Sequence, residues 1–142
     1  MTDDSQQPNS ILSFDASRSP VTIAIGIDLI ERKRLLRSFE HFGERFLRRV
    51  FTPTELAQAH NQIERLVGRF AAKEACSKAL GTGMISVAWR EIEIIRTTGG
   101  KPAVRLHGRA AARANELGLT AFDVSISDTD EHAMAVVIAL RA

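Results

Sequence analysis

Gly68-Arg69-Phe70-Ala71-Ala72-Lys73-Glu74-Ala75-Cys76-Ser77-Lys78-Ala79-Leu80-Gly81 sets a carboxylate where an amphipathic helix should be apolar. At about 100° per residue, Ile63, Leu66, Val67 and Phe70 define one apolar stripe, and Glu74 projects within about 30° of its centre. Lys78 follows one turn later, roughly 40° from Glu74, so the polar intrusion is a Glu/Lys pair on the face that should pack against the rest of the chain. Burying such a pair costs several kcal/mol unless a partner, metal or ligand meets it. The same spacing also fits a Glu-to-Lys pair at the edge of a solvated face, where it contributes a few tenths of a kcal/mol. The helix carrying the pair is expected from Ile63 to Leu80, stopped by Gly81-Thr82-Gly83.

Upstream, Val21-Thr22-Ile23-Ala24-Ile25-Gly26-Ile27-Asp28 alternates branched residues with small or polar ones, the pattern of a half-buried strand. A basic amphipathic helical region follows, interrupted near Gly43. Thr52-Pro53-Thr54-Glu55 reads as a helix start, with Thr52 as N-cap, Pro53 first in the helix and Glu55 as the reciprocal arm of a capping box. Downstream, Glu91 to Arg96, the turn Thr97-Thr98-Gly99-Gly100-Lys101 and Pro102 to Leu106 read as a hairpin. An alanine-rich helix from Arg109 to Leu117 precedes two further strands, Phe122 to Ser127 and His132 to Leu140. This order predicts an α+β domain, an antiparallel sheet packed with the long helix and shorter helices. Residues 1–20, rich in Ser, Asp, Gln and Pro, read as a mobile tail, leaving 21–142 as a single domain.

With 142 residues, 44% hydrophobic and 25% charged, the chain is long enough for one domain with its own core. The apolar runs Val21–Ile27 and Ala133–Leu140 are too short to cross a bilayer as helices. The N-terminus lacks the basic start and apolar stretch of a signal peptide, so a cytoplasmic protein is expected. The single cysteine, Cys76, excludes an internal disulfide and a cysteine-rich metal site. It lies about 160° from Glu74 on the helix wheel and reads as structural. A net charge of +2 leaves partners undecided. Locally, Glu31 to Arg49 holds seven basic residues, Arg34 and Arg45 among them, against three acids. That segment could receive an acidic protein or a polyphosphate, or simply form a solvated basic face. A non-catalytic basic module that binds an acidic protein or nucleic acid is therefore the alternative to an enzyme.

Asp28 and Glu74 together suit Mg²⁺, which keeps several waters and completes its shell with substrate phosphates. Asp28-Leu29-Ile30-Glu31 equally fits a capping box. Lys78, Arg69 and the turn Gly81-Thr82-Gly83 offer cations and free amides to anionic oxygens, although Gly81 also fits a helix C-cap. No P-loop or GxGxxG pattern is present, which leaves the ordinary nucleotide folds unsupported. His41, His60, His107 and His132 lack metal-ligand spacing. No nucleophile elbow supports a hydrolase, and Trp89 alone makes no single-strand nucleic-acid platform.

Ile25-Gly26-Ile27-Asp28, together with the run from Arg69 to Gly83, resembles the holo-[acyl-carrier-protein] synthases, the small bacterial 4′-phosphopantetheinyl transferases. The match extends through Phe51 to Leu56, Gly100-Lys101-Pro102 and Val124 to Ser127, and covers about residues 22–140. The resemblance implies that Asp28 and Glu74 bind Mg²⁺, which also takes the pyrophosphate of coenzyme A. It implies that Lys78 contacts phosphate and joins Asp28 and Glu74 in catalysis, while Arg69, Gly81, Gly83 and Lys101 serve coenzyme binding. The serine of an acyl carrier protein would attack the β-phosphate, taking phosphopantetheine and releasing adenosine 3′,5′-bisphosphate, a step of fatty acid biosynthesis. The acidic helix of the carrier would dock on Arg34 and Arg45, and the enzyme would be a homotrimer with each site at a subunit interface. Some relatives carry a histidine after the Val-Ser-Ile-Ser-type strand, where this chain has Asp128. That departure speaks against a histidine base; a metal-held water near Asp28 is another acceptor for the serine proton.

Overall fold

The structure, a computed structural model, describes residues 22–141. The segment 1–20, read above as a tail, lies outside the described residues. Strand β1 (Thr22–Glu31) runs three residues past Asp28 because β5 (His132–Arg141) pairs with it antiparallel along its whole length, to Glu31 opposite His132. The capping box expected at Asp28 therefore does not form: the backbone stays extended through Glu31, and α1 (Arg32–Phe42) begins without a side-chain cap. Gly43, at φ +65°, separates α1 from α2 (Glu44–Val50). The capping box at α3 (Pro53–Gln58) forms as read, with the Glu55 N–H donating to Thr52 Oγ1 and the Thr52 N–H to Glu55 Oε1.

The long helix is shorter than its pattern suggested. Ile63–Arg65 is a separate 3-10 turn, and α4 covers Val67–Ala79. The turn buries Ile63 and Leu66 without one continuous stripe. The face that α4 lays on the sheet is instead built of small residues, Gly68, Ala71, Ala72, Ala75 and Ala79, and it approaches closely. A Cβ on Gly26 of β1 would lie 1.8 Å from the Ala75 carbonyl oxygen, and one on Gly68 would lie 2.7 Å from Ile126 Cγ2. At Gly26 only glycine permits this backbone-to-backbone approach, and at Gly68 it leaves room for the Ile126 side chain.

The remaining elements are the hairpin β2 (Ile92–Arg96) and β3 (Pro102–Leu106), α5 (Gly108–Leu117) and β4 (Ala121–Asp128). The main sheet has the order β1-β5-β4, antiparallel throughout, and β2-β3 forms a second sheet, so the architecture is α+β. Ala24, Gly26, Asp28, Ala133, Ala135 and Val137 face α4. The other face carries Ile23, Ile25, Ile27 and Leu29, each 53–65% exposed, beside Met134, Ile138 and Leu140. Both faces of the sheet are apolar and α4 covers one of them. No helix among the described residues is long and apolar enough to cross a membrane.

Candidate active site

The close approach at Gly26 brings the end of β1 and the middle of α4 together, and with them Asp28 and Glu74. Asp28 is 11% exposed; its Oδ1 accepts from Lys78 Nζ at 3.0 Å, and its Oδ2 is buried without a donor. Lys78 also donates to the Ile27 carbonyl at 2.9 Å and remains half exposed. The ion pair expected within the helix is thus replaced by one between helix and strand, because β1 stands opposite that turn of α4. Glu74 is half-buried rather than central to a packed face. Burial, and then the hydrogen bond and negative charge of Asp28, push its carboxyl up to about 7, against the pull of Lys78 and Arg34.

Two carboxyls thus face each other across the strand–helix contact: Asp28 keeps a buried oxygen that meets no N–H or hydroxyl donor, and Glu74 is held toward neutrality by burial and by the charge of Asp28. Among the described residues no cluster of three or more His, Cys, Asp or Glu could hold a metal. A cation that demands a full protein cage is poorly served here, whereas two carboxylates fit Mg²⁺, whose remaining positions go to water and phosphate.

Glu74 opens onto a cavity of about 260 Å³, lined also by Arg34, Leu35, Phe46, Phe70 and Trp89. Phe70 and Trp89 stack at 4.6 Å with rings 21° apart. Arg34 thus stands at the site, whereas Arg45 is exposed on α2 and lines neither this cavity nor the larger one. Arg69 and Lys101 line the larger cavity, about 910 Å³, together with Arg65, Arg96 and Asp128. In this arrangement Arg69 is 7% exposed and donates to the Glu55 carbonyl and to Gln58 Oε1, each at 3.1 Å, while Lys101 pairs with Asp123 at 2.8 Å. Gly81 and Gly83 both have positive φ. The amides of Gly81, Thr82 and Gly83 are not free for anions: they donate to the Lys78 and Ser77 carbonyls and close the C-terminus of α4. Cys76 is fully buried, its thiol pushed up to about 12 by burial, which suits a packing role.

Sequence reasoning missed a second set of charges. Lys73 and Glu55 are wholly buried and pair at 2.7 Å. Glu93, 5% exposed, accepts from the Thr52 hydroxyl and faces Arg105 and His107. The signal was present, since the apolar stripe Leu66-Phe70 extends by helical spacing to Lys73 as readily as to Glu74, and Glu55 was already marked as a capping arm.

Residues 24–137 match the model of the 4′-phosphopantetheinyl transferase superfamily. A Herpetosiphon aurantiacus protein named holo-[acyl-carrier-protein] synthase is 43% identical over 125 residues, covering 83% of this chain and 98% of the relative. Among solved structures, the Neisseria meningitidis holo-[acyl-carrier-protein] synthase superposes with a TM-score of 0.75 at 35% identity, over 82% of this chain and 96% of its own. The Helicobacter pylori synthase, solved in complex with coenzyme A, gives 0.73 at 29% identity, over 81% and 98%. With a fold and a sequence shared with these proteins over most of its length, the chain belongs to the holo-[acyl-carrier-protein] synthase family of 4′-phosphopantetheinyl transferases.

Proposed function

We propose that this protein transfers 4′-phosphopantetheine from coenzyme A to a serine of an apo acyl carrier protein in a Mg²⁺-dependent reaction. The observation that carries the reading is the Asp28–Glu74 pair, with its orphaned oxygen and the ammonium of Lys78 beside it. Asp28 and Glu74 would hold the Mg²⁺, which when bound supplies Lewis-acid stabilisation of the pyrophosphate. Lys78, half exposed, can give up the Ile27 carbonyl for a phosphate oxygen and so place a second positive charge on the same group. The serine oxygen then forms a bond to the β-phosphorus. The bond from that phosphorus to the oxygen bridging to the α-phosphate breaks, and this oxygen leaves with its electron pair as part of adenosine 3′,5′-bisphosphate. No histidine lines either cavity, and Asp128 stands in the larger one where some relatives have histidine, so the serine proton goes to an acceptor of another kind.

Arg34 at the cavity rim and exposed Arg45 on α2 support docking of an acidic carrier helix there. The larger cavity, with Arg69 and Lys101 in its wall, is roomy enough for the nucleotide half of coenzyme A. The uncovered apolar face of the main sheet supports assembly into a homotrimer, since a patch of that kind marks an interaction surface.

Intact-mass spectrometry of an apo carrier protein incubated with the protein, coenzyme A and Mg²⁺ tests the reading. A phosphopantetheine mass gain that EDTA prevents is expected. A folded sample that binds coenzyme A yet modifies no carrier, or one that EDTA leaves fully active, would overturn the transfer or the metal respectively.

A further inference from the structure

Lys73 is the one lysine among the described residues whose side chain is fully buried. Its three N–H donors are all used: Glu55 Oε1 accepts at 2.7 Å, the Trp89 carbonyl at 3.0 Å, and the Ile92 carbonyl takes the third. The ammonium therefore ties two segments distant in sequence to α4, namely α3 and the stretch Trp89–Ile92 that forms the turn and opens β2. One of those segments is a wall of the site, because Trp89 stacks on Phe70 and both line the small cavity onto which Glu74 opens. The loop 81–88 that leads into this turn is anchored by Val87, 5% exposed, while Ile85 is 95% exposed, so the Lys73 bond to the Trp89 carbonyl adds a fixed point next to the packing of Val87.

We propose that Lys73 is a positioning residue, which from inside the core fixes Trp89 beside Glu74 and so sets the opening through which the carrier serine reaches the phosphate. The inference rests on the phosphopantetheine-transfer reading for its function and on geometry alone for its structural part. The coenzyme side of the site, in the larger cavity, takes nothing from Lys73 directly.

Trp89 is the only tryptophan of the chain, so its fluorescence reports this wall alone. Lys73→Met removes the donors but leaves Glu55 buried and unpaired, so the decisive variant is Lys73→Met combined with Glu55→Gln, which removes that charge. The double variant should fold with a melting temperature near the wild type's. It should show red-shifted, more readily quenched Trp89 emission, a KM for the carrier protein raised about tenfold, the scale of one lost charge-assisted hydrogen bond, and unchanged coenzyme A affinity. A folded double variant with wild-type emission and wild-type carrier KM would overturn the proposal and leave Lys73 as a counter-ion to Glu55 only. Equal losses in carrier KM and coenzyme A affinity would overturn it as well, since general loosening strikes both. If the wild type modifies no carrier at all, the function reading fails by itself, and the fluorescence still decides whether Lys73 holds the wall.

Discussion

Lys73 and Glu74 are neighbours on one turn of α4 and sit in opposite surroundings. Lys73 is sealed, with each donor matched by an acceptor and no exposed surface. Glu74 is half open, faces another carboxyl and holds its proton up to about 7. Burial penalises both charged forms, lowering the pKa of Lys73 and raising that of Glu74. The difference lies in what the fold offers in return: a counter-ion and two carbonyls for one, a second negative charge for the other. A buried charge that the fold satisfies holds structure together, whereas one that the fold leaves unsatisfied is poised for something from outside.

The comparison breaks most visibly at Glu74. Glu74→Ala should lower the transfer rate on the order of 10³-fold, the loss of several kcal/mol of transition-state charge stabilisation, and should leave the melting temperature unchanged or raise it. A variant that melts well below the wild type would make Glu74 a packing group of the same kind as Lys73. The opposite behaviour is expected of its neighbour. Lys73→Met should cost about 3–5 kcal/mol in urea unfolding, as breaking a buried pair does, and Glu55→Gln added to it should recover most of that. A single variant as stable as the wild type would remove the distinction between sealed and unsealed charge.

The smallest effect sharpens the comparison through pH. Glu74 binds its proton more tightly folded than unfolded, so the stability it contributes is fully present below its ordinary value of 4.5 and is lost as pH rises through about 7. Without metal, the melting temperature of the wild type should therefore fall more between about pH 5 and pH 8 than that of Glu74→Gln. Mg²⁺ competes with the same proton, so its stabilisation of the wild type should be greater at the alkaline end of that range. Parallel pH profiles for wild type and Glu74→Gln would place the retained proton elsewhere.

Much of the fold was legible because local chemistry agreed with the final structure. The Thr52-Pro53-Thr54-Glu55 start, the break at Gly43, the hairpin around Gly99-Gly100 and the glycine stop after α4 each rest on short-range geometry. The failures came where long-range partners overrode local signals. Pairing with β5 kept Asp28 to Glu31 extended against a capping pattern, and Asp28 drew Lys78 away from Glu74. The buried face of α4 was misread because a helix that meets a sheet through alanine and glycine buries no bulky stripe. Asp28 and Glu74 come together as read, with Lys78 on Asp28 and Arg34 lining the same small cavity as Glu74, while Arg69 spends its donors on α3 and the Gly81–Gly83 amides spend theirs on α4.

The strand order β1-β5-β4 also governs how such a molecule is made. β5 comes last among the described elements and lies at the centre of the sheet, so β1 and β4 have no hydrogen-bonded neighbour in that sheet until it arrives. A nascent chain emerging from the ribosome can form α1 to α5 and the β2-β3 hairpin from nearby sequence, but β1 waits with the apolar row Ile23, Ile25, Ile27 and Leu29 and with open edges. Completion of the sheet, and with it the seating of Asp28 against α4, is a late event that follows synthesis of β5. During that interval the earliest strand is the part of the molecule most in need of a chaperone.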